Sequence, residues 1–239
     1  GFFAYVALIF RPSCDAVYHT LSGFRPEKEL FMRLMKFGFP SGVQFFLDMA
    51  GFTAFVLILG RLGTVSLAAT NIAFNINTLA FMPMIGFGIA VSVLVGQYIG
   101  RGRPDLAQRS AYSGFGMTFA YMCTVAVLFV VVPEVFVTPF TSRAGMGVFS
   151  DIERLSILLL RFVAFYSVFD TMNVIFAYAI KGAGDTRFVM YMNVLVSGFV
   201  LVIPTYVAVM VLGYGLMTAW TIATAYVSLL GFAFYGRFL

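Results

Sequence analysis

The sequence predicts an all-α fold, a polytopic membrane bundle of six transmembrane helices. Of its 239 residues, 61% are hydrophobic and only 10% are charged, whereas soluble domains carry about 25% charged residues. Several apolar runs exceed the roughly 18–20 residues that a helix needs to cross a bilayer. These runs are unbroken, unlike the alternating segments of about ten residues that form membrane β-barrels. We therefore expect membrane-spanning helices that have the lipid bilayer as their surroundings.

Six spans follow from the apolar runs. Their predicted limits are 37–59, 66–99, 111–132, 155–180, 188–212 and 214–235. The second span is too long for a straight crossing and contains Pro83, Gly86 and Gly88. Because a proline removes one backbone hydrogen bond from a helix, we predict that this span is bent. Gly213 and Gly215 predict a tight turn before the last span.

Residues 1–36 precede the first span. Residues 1–10 are apolar but too short to cross a bilayer, and we expect them to be the tail of a preceding transmembrane helix. Residues 11–36 are expected to form a cytoplasmic linker, in which apolar residues at helical spacing predict a short amphipathic helix in the membrane interface. These apolar residues are Leu30, Phe31, Leu34 and Met35. Residues 37–239 then form a six-helix domain, and we expect the chain to be part of a longer protein.

Basic residues are concentrated at one end of the predicted bundle. They are Arg11, Arg25, Lys28, Arg33, Lys36, Arg101, Arg103, Arg109, Lys181, Arg187 and Arg237. The other end holds only Arg61, Arg143 and Arg154. The positive-inside rule therefore predicts a multi-pass protein of the cell (inner) membrane with both chain ends in the cytoplasm. Because topology explains these charges, the net charge of +5 does not indicate nucleic-acid binding.

Three charged residues lie inside the predicted spans: Asp48, Arg161 and Asp170. A charge near the bilayer centre is costly, so such residues usually face a polar interior and mark a transport pathway. Arg161 is close enough to the outer end of its span for its long side chain to reach the interface. The aspartate side chains are too short for that. Asp48 and Asp170 are therefore the candidate functional residues.

Asp48 and Asp170 are predicted at a common depth. Each is about ten residues from the cytoplasmic end of its span, which at about 1.5 Å per residue puts both roughly 15 Å into the bilayer, where they can share a cavity. Two neighbouring carboxylates in such a site can exchange a proton for a metal ion or an organic cation near neutral pH. Cys14, Cys123 and His19 form no metal-ligand pattern, and no cofactor is expected.

Other polar residues accompany the two acids. Tyr166 lies four residues before Asp170 and Asn173 lies three residues after it, so the three share one helical face. A second polar stripe follows the second span, and its members are Asn71, Asn75 and Thr78. Such residues either line a cavity or form hydrogen bonds between helices. Both interpretations of the second stripe remain open.

Two stretches resemble a known family. The stretch that begins KFGFPSGVQFFLDMAGFTAFVLILGRLG and continues to VGQYIGRGRPDLA resembles the seventh and eighth helices of the multidrug and toxic-compound extrusion (MATE) family. The stretch FYSVFDTMNVIFAYAIKGAGDTR resembles the tenth helix of that family and the loop after it. The spacing, the GRLG turn, the G-Q-x-x-G ending and the GAGDTR loop all agree. The resemblance extends over nearly the whole chain from Phe37 onward.

The resemblance implies a function and a partner. The family has twelve helices in two six-helix lobes, and this chain is similar to the second lobe, so a missing first lobe is the expected partner. In NorM-like members, a Na⁺ ion or a proton binds an acid on the seventh helix and an acid on the tenth, which correspond to Asp48 and Asp170, with Tyr166 one turn before. The expected activity is cation-coupled export of small cationic or amphiphilic compounds, not enzymatic catalysis. The seventh-helix acid is often Glu, so Asp48 leaves the choice of ion open.

The sequence leaves three alternative functions. The segment from Gly182 to Asp185 reads GAGD and matches the Gly-x-Gly-Asp pattern of intramembrane aspartyl proteases. However, Asp185 lies in a charged loop, and a helix stop with a glycine cap explains the motif better. A related lipid-linked oligosaccharide flippase would need cationic residues for pyrophosphate, and only Arg161 is available within the spans. A piece that only packs or assembles is the third alternative.

Overall fold

The computed structural model describes residues 27–141 and 149–239, and within these ranges all regular secondary structure is helical. We label the helices in chain order as α1 (Lys28–Gly60), α2 (Thr64–Gly100), α3 (Pro104–Val131), α4 (Pro133–Thr141), α5 (Phe149–Gly182), α6 (Thr186–Val211) and α7 (Leu216–Phe238). All except α4 are long and apolar enough to cross a membrane. The predicted all-α, six-span fold is therefore confirmed.

Two boundaries differ from the prediction. The segment predicted as a separate amphipathic helix is continuous with the first span in α1. The helix continues through Gly38 and Pro40 at the junction, where the proline removes one backbone hydrogen bond without ending the helix. The short α4 was not predicted, although it begins with Pro133 and has Glu134 in its first turn, which are both typical of a helix start. α2 is a single helix through Pro83, and its bend stays a prediction.

The chain divides into two compact units, Gly1–Phe39 and Pro40–Leu239. In the first unit, the described apolar side chains of α1, such as Leu30 and Leu34, are exposed. The predicted helix tail at residues 1–10, the first part of the linker, and Cys14, His19 and Arg143 lie outside the described residues. The second unit contains the hydrophobic core and all the remaining helices.

Glycines form the turns between the spanning helices. Of the five connections between these six helices, the four short ones each contain a glycine with a positive φ angle, a conformation that other residues rarely adopt. These glycines are Gly63, Gly102, Gly184 and Gly213. In the turn before α6, the Asp185 side chain also accepts a hydrogen bond from the Phe188 backbone N–H at 3.3 Å. This is a helix cap, so the GAGD segment acts as a helix stop and start.

α5 is the central helix of the second unit. Of its apolar stretch, 50% is buried, compared with 22–33% for the other spans. It packs against α2, α3 and α7, and its Leu159, Leu160 and Val163 are fully enclosed. On α7, Trp220 is also fully buried and stacks on Phe74 of α2 at a ring distance of 5.1 Å. Residues on α5 are thus held more firmly than those on the outer helices.

Small residues bring α2 and α5 close together. Gly88 lies against the ring of Tyr178, whose nearest atom would be 2.7 Å from a Cβ atom at this glycine. Gly96 lies against the Gly182 carbonyl, and Gly182 lies against the backbone of Ser92. Helices in membranes associate through such small residues because their backbones can then approach. This contact aligns the polar side chains of α5 with those of α2.

α6 departs from regular α-helical geometry. It contains two π-helical stretches, Ser197–Val202 and Val207–Val211, separated by the short α-helical segment Ile203–Tyr206. Pro204 lies in that segment and lacks the N–H that an α-helix would use, so the neighbouring hydrogen bonds shift to a longer spacing. The first π stretch begins at Ser197, whose hydroxyl lies against Gly51 of α1. The irregular part of α6 therefore faces the helix that carries Asp48.

Candidate cation site

α1 directs Asp48 toward the interior of the second unit. Gln44, Gly51 and Phe55 form the buried face of the helix, and Asp48 lies on the same side, one turn after Gln44 and one before Gly51. The Gln44 amide donates a hydrogen bond from Nε2 to Asp48 Oδ2 at 3.2 Å. Phe46, two residues before Asp48 and on the opposite face, is 69% exposed. The burial of one face of α1 and the exposure of the other therefore orient the carboxylate.

Two buried oxygens on α1 have no hydrogen-bond partner among the described residues. They are Asp48 Oδ1 and Gln44 Oε1. A buried polar atom without a partner is costly, and in native proteins such atoms usually bind a ligand, an ion or water. Because both atoms are oxygens, they suit a cation rather than an anion.

α5 holds Asp170 and Tyr166 in the core. Asp170 is 8% exposed and its Oδ1 accepts a hydrogen bond from Asn173 Nδ2 at 2.9 Å. Tyr166 is 7% exposed, and its hydroxyl accepts a hydrogen bond from Asn77 Nδ2 of α2 at 3.1 Å. The three residues that the sequence placed on one face of this helix thus lie together, with Asn173 bonded to the acid.

Tyr226 of α7 lies within electrostatic reach of both Asp48 and Asp170, and its side chain forms a hydrogen bond with Ser197 of α6. Gly51 lies against that serine, so α1, α6 and α7 meet at this point. The hydrogen bond from Asn77 to Tyr166 joins α2 to α5 one turn before Asp170.

Sequence reasoning did not find Gln44, Asn77, Ser197 and Tyr226. Gln44 precedes Asp48 by one turn, and this spacing alone was a usable signal. Asn77 shares the face of Ala73 and Ala80, which are small and buried, and small residues mark a helix–helix contact. Ser197 and Tyr226 carry no such local signal, because single Ser and Tyr residues are ordinary in membrane spans.

The second predicted polar stripe lies elsewhere. Asn71, Asn75 and Thr78 are exposed in the described part of the chain. The Asn75 amide donates to the Asn71 carbonyl at 2.8 Å, and the Thr78 hydroxyl donates to the Phe74 carbonyl at 2.8 Å. These side chains bond to their own helix and are not brought to the two acids. Their role in lining a cavity with other parts of the protein stays a prediction.

α5 also carries two basic residues, Arg161 and Lys181. Arg161 is exposed, in agreement with a side chain that reaches the interface. Lys181, in the last turn of α5, is only partly exposed and lies within electrostatic reach of Asp48. Its ammonium group is 5.1 Å from the centre of the Tyr178 ring, which indicates a cation–π contact.

The candidate site is rich in oxygen atoms. Its side chains offer carboxylate, amide, phenol and hydroxyl oxygens, which are ligands for hard ions. Within the described ranges, no group of three or more His, Cys, Asp or Glu residues lies close enough together to hold a metal ion.

The fold and the site together define a class. A bundle of six spanning helices with carboxylates buried in the spans is typical of membrane transport proteins. The profile of the MatE family matches residues 40–207. The chain therefore belongs to the MATE family, as its motifs predicted, and it is a multi-pass membrane protein of a transporter family rather than an enzyme.

Curated relatives of known name agree with this family. One from Brucella suis biovar 1, named "Probable multidrug resistance protein NorM", is 29% identical over 171 residues, which cover 71% of this chain and 36% of the relative. A protein of the same name from Pasteurella multocida is 31% identical over 173 residues, covering 71% of this chain and 35% of the relative. The chain thus spans little more than a third of the length of these relatives.

Solved structures show the same fold. A structure described as "Crystal structure of MATE in the bent conformation" superposes with a TM-score of 0.79 at 15% identity, covering 91% of this chain and 47% of the other. A second, an outward-facing conformation of a MATE family transporter of the MOP superfamily, gives a TM-score of 0.72 at 18% identity, covering 84% and 43%. The chain therefore has the fold of slightly less than half of these proteins.

Proposed function

We propose that this chain provides the ion-coupling lobe of a multidrug exporter that expels cationic or amphiphilic compounds in exchange for Na⁺ or H⁺. The observation that carries the proposal is the pair of carboxylates within the spans, Asp48 with an unpartnered buried oxygen and Asp170 buried in the core. The names of the curated relatives support drug export as the activity of the whole protein.

The proposed mechanism uses the polar network as a two-state device. In the proposed ion-free state, Asp48 and Asp170 both carry a negative charge. A Na⁺ ion or a proton would be held by Asp48 Oδ1 and Gln44 Oε1, the two α1 oxygens that have no partner among the described residues, and would cancel the charge of Asp48. The closer approach of α1 and α5 would then reshape the lobe and favour release of substrate outside.

α6 is suited to accommodate this movement. Its first π stretch begins at Ser197, next to Gly51 of α1. π-helical turns are frequent at functional sites because their hydrogen bonds can shift register. A change at Asp48 is therefore transmitted to an element whose hydrogen bonding is already irregular.

The remaining parts of the proposal concern the surroundings. We propose that the protein lies in the cell membrane with the α2–α3 and α5–α6 turns in the cytoplasm. Three arginines lie in or beside these turns, Arg101, Arg103 and Arg187, and the positive-inside rule places such turns in the cytoplasm. A second six-helix lobe would complete the substrate cavity, since the matched relatives are nearly three times as long as the matched segment. The exposed stripe around Asn75 would then face that cavity.

Replacement of Asp170 by Asn in the full-length protein tests the coupling. The amide has nearly the same shape as the carboxyl group, but it carries no negative charge to balance a cation and does not take up a proton near neutral pH. We expect gradient-driven efflux of a cationic dye to fall at least tenfold, while the amount of folded protein in the membrane is unchanged. Efflux is measured in vesicles with Na⁺ and pH gradients imposed separately, which also identifies the ion.

Asp105→Asn is the matched control. Asp105 is an exposed carboxylate near the α2–α3 turn, where it pairs with Arg103 at 3.1 Å. Its variant should transport at the wild-type rate. Survival of coupled efflux in the Asp170 variant would refute the proposed coupling.

A further inference from the structure

A groove between α2 and α3 lies apart from the cation site. It has a volume of about 250 Å³ and is lined by residues of these two helices only. At its floor, Gly114 of α3 lies so close to Val91 of α2 that a Cβ atom on the glycine would overlap the valine side chain. The two helices touch along this line, and the larger side chains on either side form the walls.

The groove changes in polarity along its length. The end near the α2–α3 turn is lined by Tyr98, Arg109 and Ser110, and the other end is lined by Phe87, Ala90 and Met117. At about 1.5 Å per residue, the distance along α2 from Tyr98 to Phe87 is roughly 16 Å. The polar end is therefore at the membrane interface and the apolar end is deep in the hydrocarbon layer.

Arg109 supplies an unpaired positive charge at the polar end. It is exposed and forms no ion pair with any residue in 27–141 or 149–239. By contrast, Arg103 in the α2–α3 turn is paired with Asp105. Tyr98 beside it is partly exposed, and tyrosines are enriched at the level of lipid head groups.

We propose that this groove binds one anionic glycerophospholipid. The phosphate group would lie against Arg109 with the Tyr98 hydroxyl as a further donor, and one acyl chain would lie along the wall formed by Phe87, Ala90 and Met117. The occupant is a phospholipid because the groove is charged at the interface and apolar in depth, in the same order as the lipid itself. Basic pockets between spanning helices bind anionic head groups by this combination.

Native mass spectrometry of the purified full-length protein tests the proposal. Phosphatidylglycerol and phosphatidylcholine with identical acyl chains are titrated separately. We expect one phosphatidylglycerol to be retained more tightly than phosphatidylcholine, and Arg109→Gln to weaken its binding about fivefold. Arg101 is exposed in the α2–α3 turn and does not line the groove, so Arg101→Gln should leave binding unchanged.

A second pair of variants tests the apolar end without changing charge. Ala90→Trp would fill the groove and should also weaken phosphatidylglycerol binding. Val93→Trp, at an exposed position of α2 that does not line the groove, should not. Equal retention of the two lipids, wild-type binding by Arg109→Gln, or an equal loss in Arg101→Gln would overturn the proposal. Because Asp170→Asn does not touch the groove, its lipid binding should be normal even where its transport fails.

Discussion

Asn75 and Asn77 lie two residues apart on α2 but face different surroundings. The Asn77 amide reaches the buried hydroxyl of Tyr166 on α5, whereas the Asn75 amide is exposed and bonds to its own helix. A helix turns about 100° per residue, so a separation of two residues is enough to exchange the core for the surface. The importance of each asparagine therefore depends on the packing of its helix.

This contrast leads to a prediction for Asn77→Ala. The variant leaves the buried Tyr166 hydroxyl without its donor, so we expect the free energy of unfolding to fall by about 1 kcal/mol. Thermal unfolding in detergent measures the change. Asn75→Ala is the matched control and should stay within about 0.5 kcal/mol of wild type. Equal stability of the two variants would show that the hydrogen bond to Tyr166 contributes nothing.

At the scale of the helices, the contact between α2 and α5 holds the site in place. Gly182 lies against the backbone of Ser92, and backbone atoms cannot move aside as a flexible side chain can. A methyl group at Gly182 must therefore push the two helices apart. Asp170 and Tyr166 lie on α5, and their partner Asn77 lies on α2, so this displacement would also disturb the site.

We predict that Gly182→Ala destabilises the protein by about 1–3 kcal/mol, the usual cost of overpacking. Gly86→Ala provides the control, because nothing lies within 4 Å of a Cβ atom at Gly86. Alanine is also the better helix former, so this control should be neutral or more stable by up to about 1 kcal/mol. Chemical denaturation in mixed micelles distinguishes the two. A Gly182 variant as stable as the control would contradict the close contact.

A second contact between elements joins the α5–α6 turn to the end of α7. Arg237 donates from Nη2 to Asp185 Oδ2 at 2.8 Å, and its guanidinium lies 5.2 Å from the centre of the Phe188 ring. Asp185 also caps α6. The loop that resembled a protease motif is therefore a structural junction.

Arg237→Ala should remove this junction at a modest cost. The two charged side chains are 55% and 35% exposed, so solvent screens them and the expected loss is below about 1 kcal/mol. The loss should shrink further in high salt. Arg187→Ala removes an exposed arginine from the start of α6, beside the same junction, and serves as the comparison. A salt-independent loss would indicate that the contact with Phe188, rather than the ion pair, is what matters.

At the scale of the whole molecule, the orientation in the membrane can be tested directly. The positive-inside rule places the α2–α3 turn in the cytoplasm and the α1–α2 turn outside. Asp105 and Arg61 are exposed near these two turns. In a background without Cys14 and Cys123, we expect a membrane-impermeant maleimide to label Arg61→Cys in intact cells and to label Asp105→Cys only after the cells are opened. The reverse pattern would invert the proposed topology.

The features that could be predicted from the sequence are those that depend on residues close together in the chain. The spans were predictable because burial in lipid requires long apolar runs, a local property of the chain. The continuity of α1 from residue 28 into the first span was not predicted, because a change from amphipathic to apolar sequence does not itself end a helix. The grouping of Tyr166, Asp170 and Asn173 was predictable because all three lie on a single helix.

The class of protein, the number of spans, the family and the two acids within the spans could all be recognised from the order of residues along the chain. The polar residues that lie near these acids became visible only in the packed helices. Tyr226 and Ser197 come from helices far along the chain. On α2, the residue that bonds to Tyr166 is Asn77 and not a member of the stripe around Asn75. The reason is that helix rotation and helix–helix distance are set by side-chain packing between segments, which no single segment encodes.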